Sequence, residues 1–124
     1  MTRDMDVIRR ILFDVEEAKE PVQKIADCPP DVFAYNASLL IQAGFVEGKI
    51  IGGPNGLPRA ALILRMTWQG HEFLDSARSD SVWHTAKEKM LKPGMSWTFG
   101  LLSEALKALA KQQLARVGLP GFDA

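Results

Sequence analysis

One cysteine, Cys28, stands in a chain of 124 residues. That excludes an intrachain disulfide and a thiolate zinc site drawn from one copy, and it fits a reducing compartment. No apolar run approaches the roughly 18 residues of a membrane span, and the charged start Thr2-Arg3-Asp4-Met5-Asp6 is no signal peptide. A cytoplasmic protein with no membrane partner is the expectation. Charge of one sign is lacking too: 15 lysines and arginines balance 15 aspartates and glutamates. No overall field therefore steers the chain toward nucleic acid, and any such binding must come from a local patch. Internal repeats and low-complexity segments are also missing.

What is present organises around Met66-Thr67-Trp68-Gln69-Gly70-His71-Glu72-Phe73-Leu74-Asp75-Ser76-Ala77-Arg78. This stretch closes a hairpin and opens a helix. Thr67 is a natural N-cap, and Trp68, Phe73, Leu74 and Ala77 define an apolar side at helical spacing. Gly70 in the first turn costs about 1 kcal/mol relative to alanine, which predicts close approach of a neighbouring backbone.

Before it, a helix is predicted from about Arg3 to Lys19, with Met5, Ile8, Ile11, Leu12 and Val15 as its stripe. Pro21 stops it, and Val22-Gln23-Lys24-Ile25 alternates as a short strand. A second helix starts with Pro30 at its first position or Asp31 as its cap, and runs through Phe33, Ala37, Leu40 and Ile41 to Gly44. Phe45–Ile51 and Ala60–Met66 read as paired strands around the turn-rich loop Gly52–Pro58. Past the tryptophan helix, Ser79-Asp80-Ser81 offers a cap, with Val82, Trp83, Ala86 and Met90 continuing the pattern as one kinked helix or two. Lys92-Pro93-Gly94 breaks the chain. Ser96 or Thr98 caps a last helix with Leu102, Leu106 and Leu109 inward, and Gly118-Leu119-Pro120 ends it. Trp97, Phe99, Leu101 and Leu114 add apolar surface there. The expected fold is α+β and winged-helix-like: a small antiparallel sheet with a wing hairpin over residues 1–92, and a C-terminal helical extension over 93–124 that packs on it or forms a dimer seam.

Three segments together carry a resemblance: Arg3–Leu12, Tyr35–Val46, and Met66–Arg78 with Trp83 beyond. They resemble a bacterial and prophage family catalogued as domain of unknown function 2513. The resemblance implies a winged-helix-like fold and brings no established activity. The second and third segments are also similar to pieces of winged-helix transcription regulators.

Two features depart from a DNA-reading pattern. Between Pro21 and Gly44 there is room for only a short strand and one helix, so the positioning helix is shortened or absent. The helix from Pro30 to Gly44 carries no lysine or arginine; its expected outward residues are Asp31, Tyr35, Ser38 and Gln42. Asn36, Ser38 and Gln42 have the chemistry to read base edges, but phosphate affinity needs cations from elsewhere. Arg9, Arg10, Lys49, Arg59 and Arg65 are the candidates, with Lys24 nearby.

Catalytic chemistry finds little support. His71 and Asp75 share the spacing of a zinc helix, but the second histidine is missing and His84 has no matching ligand pair. Glu72 and Asp75 more simply favour the helix dipole. Cys28 lacks a base, and Asp27 beside it would raise its pKa. The Gly52-Gly53-Pro54-Asn55-Gly56 loop lacks the lysine and following helix of a phosphate cradle. The expectation is a non-enzyme with no cofactor, metal or small-molecule substrate. It is a regulatory module meeting double-stranded DNA through those five cations as a homodimer. The alternative is a protein-interaction module using Tyr35, Leu39 and Gln42 with Leu102, Leu106 and Leu109.

Overall fold

The computed structural model describes residues 1–90 and 98–116. Among them the chain is α+β, ordered α1 (Met5–Glu17), α2 (Pro30–Gln42), β1 (Val46–Gly52), β2 (Pro58–Met66), α3 (Trp68–Ala77), α4 (Asp80–Met90) and α5 (Phe99–Arg116). It divides into two compact units, Met1–Leu74 and Asp75–Ala124. The expected boundary at 92/93, the Lys92-Pro93-Gly94 break, Ser96, Trp97 and Gly118-Leu119-Pro120 lie outside the described residues.

In the first unit, the Asp4 carboxylate caps α1 by accepting from the amides of Asp6 and Val7, at 3.0 and 3.2 Å. The predicted stripe is buried, and Val7 joins it. Pro30 takes the first position of α2, where its missing N–H costs nothing. The helix ends at Ala43, and Gly44 turns left-handed at φ 79°. Phe33, Ala34, Ala37 and Leu40 are buried along α2, and so are Asn36 and Ser38. This corrects the expectation that Ser38 faces outward and that Asn36 and Ser38 are free to read bases. Asn36 lies on the same stripe as Phe33, Ala37 and Leu40, so its amide is directed inward. There it donates to the Val32 carbonyl and accepts from the Asp4 amide, both at 2.9 Å. The Ser38 hydroxyl donates to the Tyr35 carbonyl at 2.6 Å.

Strands β1 and β2 pair antiparallel from Val46↔Met66 to Gly52↔Pro58, with irregularities after Glu47 and after Ile51. Pairing runs farther toward the tip than the Gly52–Pro58 loop implied, leaving a turn at Pro54–Gly56. Val22 forms a single bridge to Ile63 through bonds of 2.8 and 2.9 Å, all that survives of the expected short strand. Helix α2 packs on both strands, and α1 packs on β2 and α2.

The Thr67 junction locks α3 to the hairpin base. The Thr67 amide donates to the Phe45 carbonyl at 3.0 Å, and its hydroxyl donates to the Gly44 carbonyl at 2.6 Å while accepting from the Gly70 amide at 3.1 Å. The close approach predicted at Gly70 is real: an added Cβ would sit 2.0 Å from the Phe45 carbonyl oxygen. Phe45 and Phe73 stack with centroids 5.3 Å apart. Trp68 departs from its expected inward side and is 77% exposed. It lies five residues before Phe73, off the stripe that Gly70, Phe73 and Leu74 share.

The second unit resolves the alternatives left open for its helices. Helices α3 and α4 are separate, since the Ser79 hydroxyl accepts from the Val82 amide at 3.3 Å and starts α4 afresh. Thr98 caps α5 by accepting from the Leu101 amide at 3.1 Å. Helices α4 and α5 pack together, with Val82, Trp83, Ala86, Leu102 and Leu106 buried. No helix among the described residues is long and apolar enough to cross a membrane.

Candidate functional site

The hairpin arm stands on α2 and alternates its side chains between two faces. Val46, Gly48 and Ile50 lie opposite Met66, Ile63 and Ala61 on the side where the buried residues fall; Glu47, Lys49 and Ile51 lie opposite Arg65, Leu62 and Ala60 on the other. Toward the tip burial falls away. Ile50, Ile51 and Leu57 are 40, 54 and 43% exposed, where strand aliphatics ordinarily find a core.

The five candidate cations fall in two groups, and most are already engaged. On the arm, Arg65 grips Glu47 with two bonds, Nε to Oε2 at 2.8 Å and Nη2 to Oε1 at 3.1 Å. That hydrogen-bonded cation holds the Glu47 carboxyl below its ordinary range. Lys49 and Arg59 are exposed and make no ion pair among the described residues. On α1, Arg10 donates to the Ala26 carbonyl, and the Arg9 guanidinium lies 4.9 Å from the centre of the Phe13 ring. Both α1 cations thus work within the fold, Arg10 pinning the segment between α1 and α2.

The expected protein-contact residues separate as well. Tyr35 and Leu39 are half-buried and Gln42 exposed, along one side of α2. Leu102 and Leu106 are 2 and 0% exposed, and Leu109 is half-buried.

Among the described residues, no group of three His, Cys, Asp or Glu has the arrangement to hold a metal ion. Asp75 accepts from Arg78 at 2.9 Å, and His84 meets Glu88 at 2.9 Å on the exposed side of α4. Cys28 is half-buried, and burial pushes its thiol up, with Asp4 and Asp31 adding to the rise and Arg10 opposing it. The direction matches the expectation but Asp27 is not the cause; its backbone turns left-handed at φ 53° instead.

Sequence reasoning passed over Ile50, Ile51 and Leu57 as a surface. The signal was available in Ile50-Ile51: two adjacent aliphatics on a strand cannot both face one core.

Comparison with known proteins follows the same outline. The family described as "Hypothetical protein (DUF2513)" matches residues 2–96, which spans the first unit and reaches beyond α4. An uncharacterized protein of Haemophilus influenzae is 30% identical over 123 residues, covering 93% of this chain and all of the relative. No solved structure matches.

Proposed function

We propose that this chain, which belongs to the DUF2513 family, is a protein-interaction module built on a winged-helix-like scaffold, with the hairpin arm as its docking element. The winged-helix reading is supported by the order of helix, bridge, helix, hairpin, helix, and by Val22 acting as a one-residue third strand on β2. It lacks the positioning helix, since α1 and α2 are joined by the Val22 bridge and a turn alone.

The observation that carries the docking role is the exposure of Ile50, Ile51 and Leu57 together at the free end of the arm. Exposed aliphatics scattered singly need no explanation, but one short hairpin carrying these three and Leu64 as well does. The test is a photo-crosslinking amino acid at Ile51 in the native host cell, with the same group at exposed Glu17 as control. A discrete protein adduct from position 51 alone is the expected result. Equal or absent adducts from the two positions would refute the docking role.

A second reading, a bacterial or prophage regulator touching DNA with its wing, is favoured by the exposed cations Lys49 and Arg59. With Arg65 neutralised by Glu47, those two arm cations give a salt slope of only about −2, against six to ten phosphate contacts in a typical specific binder. The buried Asn36 and Ser38 take further recognition chemistry away from α2.

A further inference from the structure

The arm has one open edge. Strand β2 lies between Val22 and β1, and no strand or bridge among the described residues pairs with the far side of β1. None of the backbone groups of Val46–Gly52 bonds to another backbone group outside the hairpin. From Glu47 to Gly52 every residue except Gly48 is exposed. An edge of this kind is a template for a further strand.

We propose that the occupant is a second copy of this chain, docked β1 to β1 as an isologous antiparallel pair centred on Gly48. The inference rests on the docking reading above and names its partner. The sequence of β1 selects the occupant and the register. An antiparallel two-fold pair keeps each face of one arm continuous with the same face of the other, so residue numbers across the seam must sum to an even value. Such registers can centre on any residue from Glu47 to Gly52: centring on Glu47 sets the two carboxylates against each other, and centring on Ile51 or Gly52 sets Lys49 opposite residues past the end of β1. Centring on Lys49 sets the two lysines against each other, which is unfavourable. Centring on Ile50 sets each Lys49 against Ile51. Centring on Gly48 sets Glu47 against the other copy's Lys49 twice and Val46 against Ile50 twice, so charge meets opposite charge and aliphatic meets aliphatic.

Glycine suits the axis. Having no side chain, Gly48 puts nothing between the two arms at the axis; its own hairpin already requires glycine there, since an added Cβ would sit 2.4 Å from the Leu62 carbonyl of β2. Each Glu47 then lies between Arg65 of its own arm and the incoming Lys49.

Charge reversal tests the register. Sedimentation velocity is run on the full chain, on Lys49→Glu, on Glu47→Lys, and on an equimolar mixture of the two variants. The wild type sediments as a dimer; each variant alone, with two like-charged contacts in place of two opposite ones, weakens dimerisation at least tenfold. The mixture restores the dimer as a hetero-pair. Circular dichroism confirms that both variants fold, both positions being exposed. A wild type that stays monomeric, a dimer indifferent to both variants, or a mixture that fails to re-associate overturns the proposal. If the wild type is monomeric while the crosslinker at Ile51 still captures a different protein, the docking reading stands and only the occupant is wrong. If neither associates nor captures, both fall.

Discussion

Replacing Gly70 by alanine is the sharpest test of how the hairpin and α3 are joined. In an exposed helix interior, Gly→Ala is stabilising by about 1 kcal/mol, because alanine loses less backbone entropy on folding. At position 70 the new methyl carbon would lie 2.0 Å from the Phe45 carbonyl oxygen and 2.6 Å from Met66 Cγ. Met66 can swing aside, but the Phe45 carbonyl is fixed by the amide of Thr67 at 3.0 Å. Helix α3 must therefore retreat by about 1 Å or more, loosening the Thr67 cap and the Phe45–Phe73 stack. Overpacking of this kind costs about 1–3 kcal/mol, and with the cap weakened the upper end applies. Set against the helix-propensity gain, the net loss is about 2 kcal/mol. For a chain of this size that lowers the melting temperature by roughly 8 °C. Gly52→Ala is the control, since nothing lies within 4 Å of the carbon it would add. The assay is thermal unfolding followed by circular dichroism. A Gly70→Ala variant as stable as the parent, or more stable, would refute the close approach and with it the junction.

Thr67→Val removes both a helix cap and the donor to the Gly44 carbonyl, so it should cost about 2 kcal/mol in urea unfolding, while Thr67→Ser keeps most of the stability. Asn36→Ala strands the Asp4 amide and should cost about 1–3 kcal/mol without altering the oligomeric state; a neutral result would contradict the link between α1 and α2. Glu47 should titrate below its ordinary value of 4.5 by NMR, and Arg65→Ala should return it there. Because the folded value is the lower one, the Glu47–Arg65 pair adds stability above the unfolded value, which fades as pH falls through the folded value. Cys28 should react slowly with a thiol reagent at neutral pH, and more slowly still in Arg10→Ala, which removes the charge that favours its thiolate.

Local chemistry made much of the fold legible. Proline at the first turn of α2, glycine just past its end, threonine before α3 and the apolar stripe of α1 each act within a few residues, and each stands where the spacing put it. What failed was facing. Helical spacing groups Trp68 with Phe73, Leu74 and Ala77, but the five residues from Trp68 to Phe73 turn the two to different sides, and Trp68 is exposed. Polarity alone puts Ser38 outward, and Asn36 has the chemistry to read bases, yet the position of Asn36 among Phe33, Ala37 and Leu40 dictates burial, and the Val32 carbonyl and Asp4 amide satisfy it there. The state of the cations was not legible. That Arg65 is held by Glu47 depends on strand register, and that Arg10 reaches Ala26 depends on how the segment between the first two helices folds back. The arm's exposed end depends on which elements pack over the hairpin, a tertiary property.

Hydroxyl-radical footprinting inside the native cell, compared with the dilute purified chain, weighs the arm directly against the face of α2. With the arm as the docking element, Ile51 and Leu57 are labelled much less in the cell while Tyr35 is labelled equally in both. Protection of Tyr35 with unchanged labelling of Ile51 and Leu57 would contradict the account.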